Sequence, residues 1–341
     1  MKAIVYTAPF HFTCTQVPAP KPGSGEVLVR VRMCGICGTD LHIHEGEFLS
    51  EFPLIPGHEI AGEIAELGTG VEHLMIGDQV VVDNTELCGG CFYCRRDQPL
   101  YCENFISHGC NVAGGLAEYI VVKAEKVFPF RNLSWKEAVM VEPTACAVHG
   151  MDIIALKPGS DVLLFGAGPT GLVLSQLLKL NGAARLVVAA PAGPKLDLAK
   201  KLAADETVII DKQNHTLHQD FLQNNYKYGF DYVIEATGSA KLCEESILYA
   251  RQGGQIIVYG VYPEKERINW SPYDIFRKEI TIKGSFAQTH CFDRSLLYLE
   301  SHQVKVDEIV TQEYRLEDYG FALENLKTRQ GIKSAIIPGG N

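Results

Sequence analysis

No stretch of this 341-residue chain is apolar for long enough to span a bilayer, since a membrane helix needs about 20 such residues in succession. Nor is there a surplus of positive charge. The 31 lysines and arginines face 41 aspartates and glutamates, for a net charge of -10. That balance argues against nucleic acid or an anionic membrane surface as the main partner and leaves a small-molecule ligand. The opening MKAIVYTAPF lacks a basic region followed by an apolar core and a cleavage site, so an intracellular, cytoplasmic protein is expected. Internal repeats and low-complexity tracts are absent too. In a reducing compartment the eleven cysteines are not expected to form disulfides, and their spacing is read first as metal binding.

The chain is arranged around residues 161–182, DVLLFGAGPTGLVLSQLLKLNG. Val162 to Phe165 form a short apolar run, as in a strand buried on both faces of a parallel sheet. Gly166, Gly168 and Gly171 follow in G-x-G-x-x-G register: the first for a tight turn, the second for close approach of a pyrophosphate, the third for packing of helix on strand. A helix opening at Pro169 and Thr170 would aim its unpaired N–H groups at that pyrophosphate. Such a triplet alone is weak evidence, and a ligand-free strand-turn-helix is the plain alternative. The flanks favour the dinucleotide site: Leu172, Val173, Leu177, Leu178 and Leu180 suit a helix lying on a sheet, and residues 185–190 supply the next strand.

Two cysteine patterns point to metal. Cys88, Cys91, Cys94 and Cys102 crowd into one short segment, as in a closed tetrahedral zinc site with a structural role. Free core cysteines or a redox dithiol are the alternatives. The neighbouring Gly89-Gly90 and Arg95-Arg96 mark an exposed loop instead. Earlier, the run from Cys34 to His42, CGICGTDLH, and then Gly57-His58-Glu59 in PGHE offer a thiolate, an imidazole and a carboxylate. Three protein ligands plus water make the catalytic arrangement of zinc. Taken singly, a cysteine there reads as core and a histidine as a local hydrogen-bonding group, so only the joint pattern carries the expectation.

Strand-like runs at 26–32, 59–67, 79–82 and 117–123, punctuated by Gly and Pro, predict a mainly β first region. A helix over 135–141 would deliver Glu142 and Pro143. Strands at 186–190, 207–210, 232–235, 255–259 and 279–283 then alternate with helices, the mark of a doubly wound α/β sheet. A tail of helix, strand and helix is expected from Asp293 onward. Domain boundaries near Val148 and Ser285 make the first domain discontinuous.

The ordered set CGICGTDLH, PGHE, the four-cysteine segment, VEP, GAGPTG, IEATG and IKGSF resembles the zinc-dependent medium-chain dehydrogenases, most of all their polyol (sorbitol- and arabitol-type) and threonine dehydrogenase branch, over nearly the whole chain. The resemblance implies a Rossmann cofactor domain at 148–285 and a mainly β, GroES-like catalytic domain at 1–147 and 286–341. It makes Cys37 and His58 catalytic zinc ligands and leaves open whether Glu59 or Glu142 supplies the carboxylate ligand, Glu142 being able to act through water. Thr39 matches the hydroxyl that takes the substrate proton, and His42 the histidine that passes it to solvent through the cofactor ribose. Gly166, Gly168, Pro169, Thr170, Gly171, Ala190, Lys195 and Thr237 are the cofactor-binding candidates.

Two departures refine this. Ala189, Ala190 and Pro191 stand where an acidic residue would bond the NAD ribose, and Lys195 follows, which favours NADP with NAD as the alternative. Ala287 and Gln288 replace the Arg-Tyr pair of sorbitol dehydrogenases, so the pocket, with Phe48, Ile106 and Gln288 as candidate lining, differs from theirs. The implied activity is reversible oxidation of a secondary hydroxyl of an arabitol, xylitol or sorbitol to the ketose. The rivals are a threonine-type or simple secondary alcohol dehydrogenase, and a non-catalytic zinc and nucleotide-binding relative. A homodimer or homotetramer joined through the cofactor domains is expected.

Overall fold

The computed structural model of the protein describes residues 1–211, 213–214 and 216–339. Two compact units result, Met1–Ala145 with Gln288–Asn341, and Cys146–Ala287.

In the second unit six strands form one parallel sheet in the order Glu206–Ile209, Arg185–Ala190, Asp161–Phe165, Phe230–Glu235, Ala250–Val258 and Thr281–Gly284. The order reverses between Asp161–Phe165 and Phe230–Glu235, and a crevice outside the carboxyl ends of such strands is where doubly wound folds take their ligands. Leu163, Phe165, Val187, Ala189, Val233 and Ile256 are wholly enclosed, which explains why these strands read as unbroken apolar runs. The expected α/β class is borne out. The strand expected at 255–259 starts earlier, at Ala250.

The first unit is built on the strand Glu26–Ile36. It pairs antiparallel with Glu59–Leu67 on one side, with Lys333–Ile337 on the other and with Tyr119–Lys123. Gln79–Val82 and Val127–Pro129 extend the sheet beyond Glu59–Leu67, and Val310–Arg315 lies outside Lys333–Ile337. Alternating apolar positions Val27, Val29 and Val31 enter the core with Ile60, Ile64, Val80 and Val82.

Two expectations are corrected here. The helix expected over 135–141 ends at Ala138, and Glu142 lies in the first turn of a second helix, Val141–Ile154. Its Pro143 falls within the first turn, where a missing N–H costs no hydrogen bond. The tail also carries one strand more than expected, Lys333–Ile337. It reads as a short apolar run that local sequence does not distinguish from a helix segment.

Candidate active site

Three hydrogen-bonded strands bring the site's residues together. The central strand ends at Ile36, and Cys37 follows as N-cap of the helix Gly38–Glu45. Its sulfur accepts the Thr39 N–H at 3.4 Å, while Asp40 returns a carboxylate oxygen to the Cys37 N–H at 2.9 Å, a capping box with cysteine in the serine position. On the adjacent strand Glu59 pairs with Gly35. A methyl at position 35 would lie 1.9 Å from the Glu59 carboxylate, so only glycine leaves room for that side chain. On the other side Ser334 pairs with Ile36. The preceding Lys333, also buried, reaches the Ile36 carbonyl at 3.2 Å and the Glu59 carboxylate at 2.8 Å.

Cys37 Sγ and His58 Nε2 are 3.1 Å apart, and ligand atoms of Cys37, His58 and Glu59 all lie within 4.8 Å of one another. His58 and Glu59 are buried and Cys37 is half-buried. Burial pulls the His58 imidazole down, but the thiols of Cys37 and Cys110 more than offset it and hold its pKa well above the ordinary value. Behind the ring, His58 Nδ1 and Asp40 Oδ1 face each other at 3.9 Å, both buried and neither hydrogen-bonded. A thiolate, an imidazole and a carboxylate converging with one half-open side fit zinc with a free coordination position. Glu142 is not in this cluster. It is half-buried in the first turn of its helix, close enough to Lys333 to help raise that ammonium's pKa.

Thr39 and His42 lie three residues apart in the helix Gly38–Glu45, hence on one face. Thr39 is largely enclosed. His42 Nδ1 is 2.9 Å from Glu47 Oε2. A carboxylate only accepts, so Nδ1 carries the hydrogen and Nε2 is left to take a proton.

Cys88, Cys91, Cys94 and Cys102 place their sulfurs within 4.8 Å of one another. Cys102 Sγ accepts the N–H groups of Cys88 and Asn104 at 3.3 and 3.4 Å. The Gly90 N–H, foremost among several donors, draws the Cys88 thiol down to about 6, whereas burial and the neighbouring sulfurs push Cys94 up to about 12. Four thiolates at this spacing need a divalent cation among them, and the set fits tetrahedral zinc.

In the second unit Gly168 is N-cap of the helix Pro169–Leu180, with no side chain capping it. A methyl on Gly168 would meet nothing within 4 Å, whereas one on Gly171 would lie 2.4 Å from the Gly166 carbonyl. Open space above uncapped N–H groups, with close packing behind, fits a pyrophosphate. Ala190 ends its strand almost fully buried, and Lys195 lies in the first turn of the helix Pro194–Leu202.

The sequence of the curated D-arabinitol dehydrogenase 1 of Uromyces fabae is 50% identical over 99% of this chain and 97% of its own length. The chain belongs to the zinc-binding alcohol dehydrogenase family. The family's alcohol dehydrogenase GroES-like domain matches residues 23–132 and its zinc-binding dehydrogenase domain residues 169–300. An L-threonine 3-dehydrogenase of Pyrococcus horikoshii is 34% identical over 96% of this chain and 95% of its own. Among solved structures, a zinc-binding dehydrogenase of Sinorhizobium meliloti 1021 bound to NADP superposes with a TM-score of 0.92 at 30% identity, covering 99% of both chains. An alcohol dehydrogenase of Escherichia coli CFT073 complexed with NADH gives 0.89 at 27%, also over 99% of both. The resemblance to the polyol and threonine branch of zinc-dependent medium-chain dehydrogenases is thus borne out, and with it the expected enzyme class. Among the described residues no helix is long and apolar enough to cross a membrane.

Three residues of this family member were not expected from sequence. Asp40 had a readable signal, standing three residues after Cys37 as in a capping box. Glu47 and Lys333 had none. Gln288, expected to line the substrate pocket, is instead fully enclosed and donates to Asp83 Oδ1 at 2.8 Å. Phe48 packs against the first unit's core, and Ile106 lies in a short ribbon with Glu86.

Proposed function

We propose that the chain oxidises a secondary hydroxyl of a polyol, of arabitol, xylitol or sorbitol type, reversibly to the ketose. NADP is the favoured hydride acceptor and NAD the alternative. The observation that carries this is the convergence of Cys37, His58 and Glu59 beside Thr39 and His42, in a chain half identical to a D-arabinitol dehydrogenase.

Cys37, His58 and Glu59 are the residues to hold the catalytic zinc, which when bound lowers the pKa of a hydroxyl towards about 7. Glu142, outside the cluster, serves as a carboxylate acting through water. Gly166, Gly168, Pro169, Thr170 and Gly171 hold the dinucleotide, the source of the redox chemistry. The chain's own residues move the proton: the Thr39 hydroxyl takes it from the substrate and His42 Nε2 passes it towards solvent, its tautomer set by Glu47. On this reading His42→Ala lowers kcat by about 100-fold, in the range of general acid–base catalysis. Glu47→Gln lowers it by about tenfold, because the orienting charge is lost. Steady-state kinetics check both, and an unchanged kcat in His42→Ala would exclude the relay.

For the cofactor, Ala189 to Pro191 offer no carboxylate to repel a 2′-phosphate, and Lys195 stands nearby. For self-association, the edge strand Thr281–Gly284 and the exposed Tyr273 and Phe276 of the helix Pro272–Lys278 that precedes it support a homo-oligomer joined through the second unit, which a sizing measurement tests. A panel of pentitols, hexitols, L-threonine and simple secondary alcohols, each with NAD and NADP, tests the substrate. Highest kcat/KM on a pentitol or hexitol is expected. Highest kcat/KM on threonine, or tight dinucleotide binding without turnover, would sink the proposal.

A further inference from the structure

The carboxyl ends of the strands Asp161–Phe165 and Phe230–Glu235 stand side by side, Phe165 level with Glu235. Glu235 is completely enclosed, and among the described residues no lysine or arginine pairs with it. Its oxygens are taken up by neutral donors. Thr237 gives its N–H at 2.8 Å and its hydroxyl to Oε1; Gly238 N–H at 3.2 Å and the Tyr262 hydroxyl go to Oε2. Four donors fill the four acceptor positions of an ionised carboxylate. Thr237 Oγ1 in turn accepts the N–H of Ser239 at 3.1 Å, and Ser239 caps the helix Ala240–Tyr249. One carboxylate therefore fixes the whole turn 236–239 and, through Tyr262, the segment after the next strand.

The packing around it has no slack. A methyl on Gly238 would lie 2.2 Å from the Val261 carbonyl, and one on Gly260 would lie 2.3 Å from the Gly238 nitrogen and 2.9 Å from Glu235 Oε2. Across the point where the strand order reverses, a methyl on Gly166 would lie 3.0 Å from the Ala236 carbonyl and 3.1 Å from Thr237 Cγ2. The glycine turn and the Glu235-held turn are thus the two walls at the head of the ligand crevice. The Thr237 hydroxyl is already committed to Glu235 and Ser239. What Thr237 presents towards Gly166 is its methyl group.

We propose that Glu235 is a positioning residue for the dinucleotide: a buried carboxylate that, with Tyr262, sets the wall formed by residues 236–239 against the glycine turn. The inference rests on the dinucleotide reading above and adds a residue that does not touch the ligand. An enclosed carboxylate with no cation costs stability, and burial does push its pKa up. Its return is an accurately placed wall, since a misplaced contact surface lowers affinity even far from the chemistry.

The test uses the full chain with Glu235→Gln and, separately, Tyr262→Phe, which removes one donor and leaves the backbone bonds in place. Calorimetric titration gives Kd for NADP and for NAD, melting of the nucleotide-free protein reports folding, and steady-state kinetics split KM from kcat. Expected are a rise in both Kd values of about tenfold in Glu235→Gln and about threefold in Tyr262→Phe. The cofactor KM should rise in proportion, with kcat at saturating cofactor within about twofold of wild type. Kd values within about twofold of wild type in both variants, whatever the melting temperature does, would overturn the proposal and leave Glu235 a folding residue. Should Glu235→Gln fail to fold, Tyr262→Phe decides by the same criterion. A wild-type chain that binds neither nucleotide overturns the functional reading itself, and is thereby told apart from a wild type that binds with unaffected variants.

Discussion

Exchanging Cys37 for alanine is expected to remove one of two bound zinc ions per chain and to lower kcat/KM by at least about 1000-fold. The size follows from the several kcal/mol of charge stabilisation that a Lewis-acidic metal contributes at the reacting oxygen. Of the clustered donors Cys37 is the only thiol. Alanine also removes the N-cap acceptor of the helix Gly38–Glu45, which carries Thr39 and His42, so metal and relay are both disturbed. The cysteine lobe should keep its ion, because its four sulfurs belong to a separate cluster within residues 88–102. Zinc determination on the purified variant, beside steady-state kinetics, reads both effects. Two zinc ions per chain, or wild-type turnover, would remove Cys37 from the site.

The second large effect is expected at a residue closed off from solvent. Lys333→Met should destabilise the metal-free chain by about 3–5 kcal/mol, the cost of leaving one partner of a buried ion pair alone. Lys333 and Glu59 are 1% and 2% exposed at their side chains, with Nζ 2.8 Å from Oε1 and 2.6 Å from Oε2. Burial pulls the lysine pKa down, yet Glu59, and then Cys37, outweigh it and leave the value above its ordinary 10.5. A group whose folded pKa is raised contributes its stability in full below the unfolded value and loses it as pH rises through the folded one. At pH 7 to 8 the whole contribution is therefore present. Adding Glu59→Gln to Lys333→Met should restore much of the stability, since the stranded charge is gone, but not the activity. Urea denaturation of the metal-free variants measures this. A loss below about 1 kcal/mol in Lys333→Met would mean that the Lys333–Glu59 contact does not behave as a buried ion pair.

What sequence reasoning could and could not reach follows from distance along the chain. The glycine turn at Gly166 to Gly171 and the cysteine run from Cys88 to Cys102 are local, and their geometry is dictated within a few residues. Both were legible. The pairing of Cys37 with His58 spans 21 residues: the joint pattern of thiolate, imidazole and carboxylate pointed to a site, and the resemblance to known dehydrogenases assigned these two residues to it. The Lys333–Glu59 pair spans 274 residues, and the Gln288–Asp83 bond 205. No periodicity carries such information, because it resides in which strands lie beside which. Glu235 was visible as a letter in IEATG, yet its role depends on Tyr262, which follows the next strand. The short strand Lys333–Ile337 escaped for the same reason: its partner, not its composition, makes it a strand.

That last pairing bears on how the protein is made. Residues 333–337 supply one flank of the strand that ends at Ile36, just before Cys37, and the Lys333–Ile36 contact closes a separation of 297 residues. During translation the early portion can collapse on its own while the ribosome is still adding the rest. The ammonium that steadies Glu59 reaches it only when the final segment has emerged. On the proposed ligand set, metal loading at Cys37 thus becomes a late event, and a chain cut short before Lys333 would carry its cysteine lobe complete and its reactive centre unfinished.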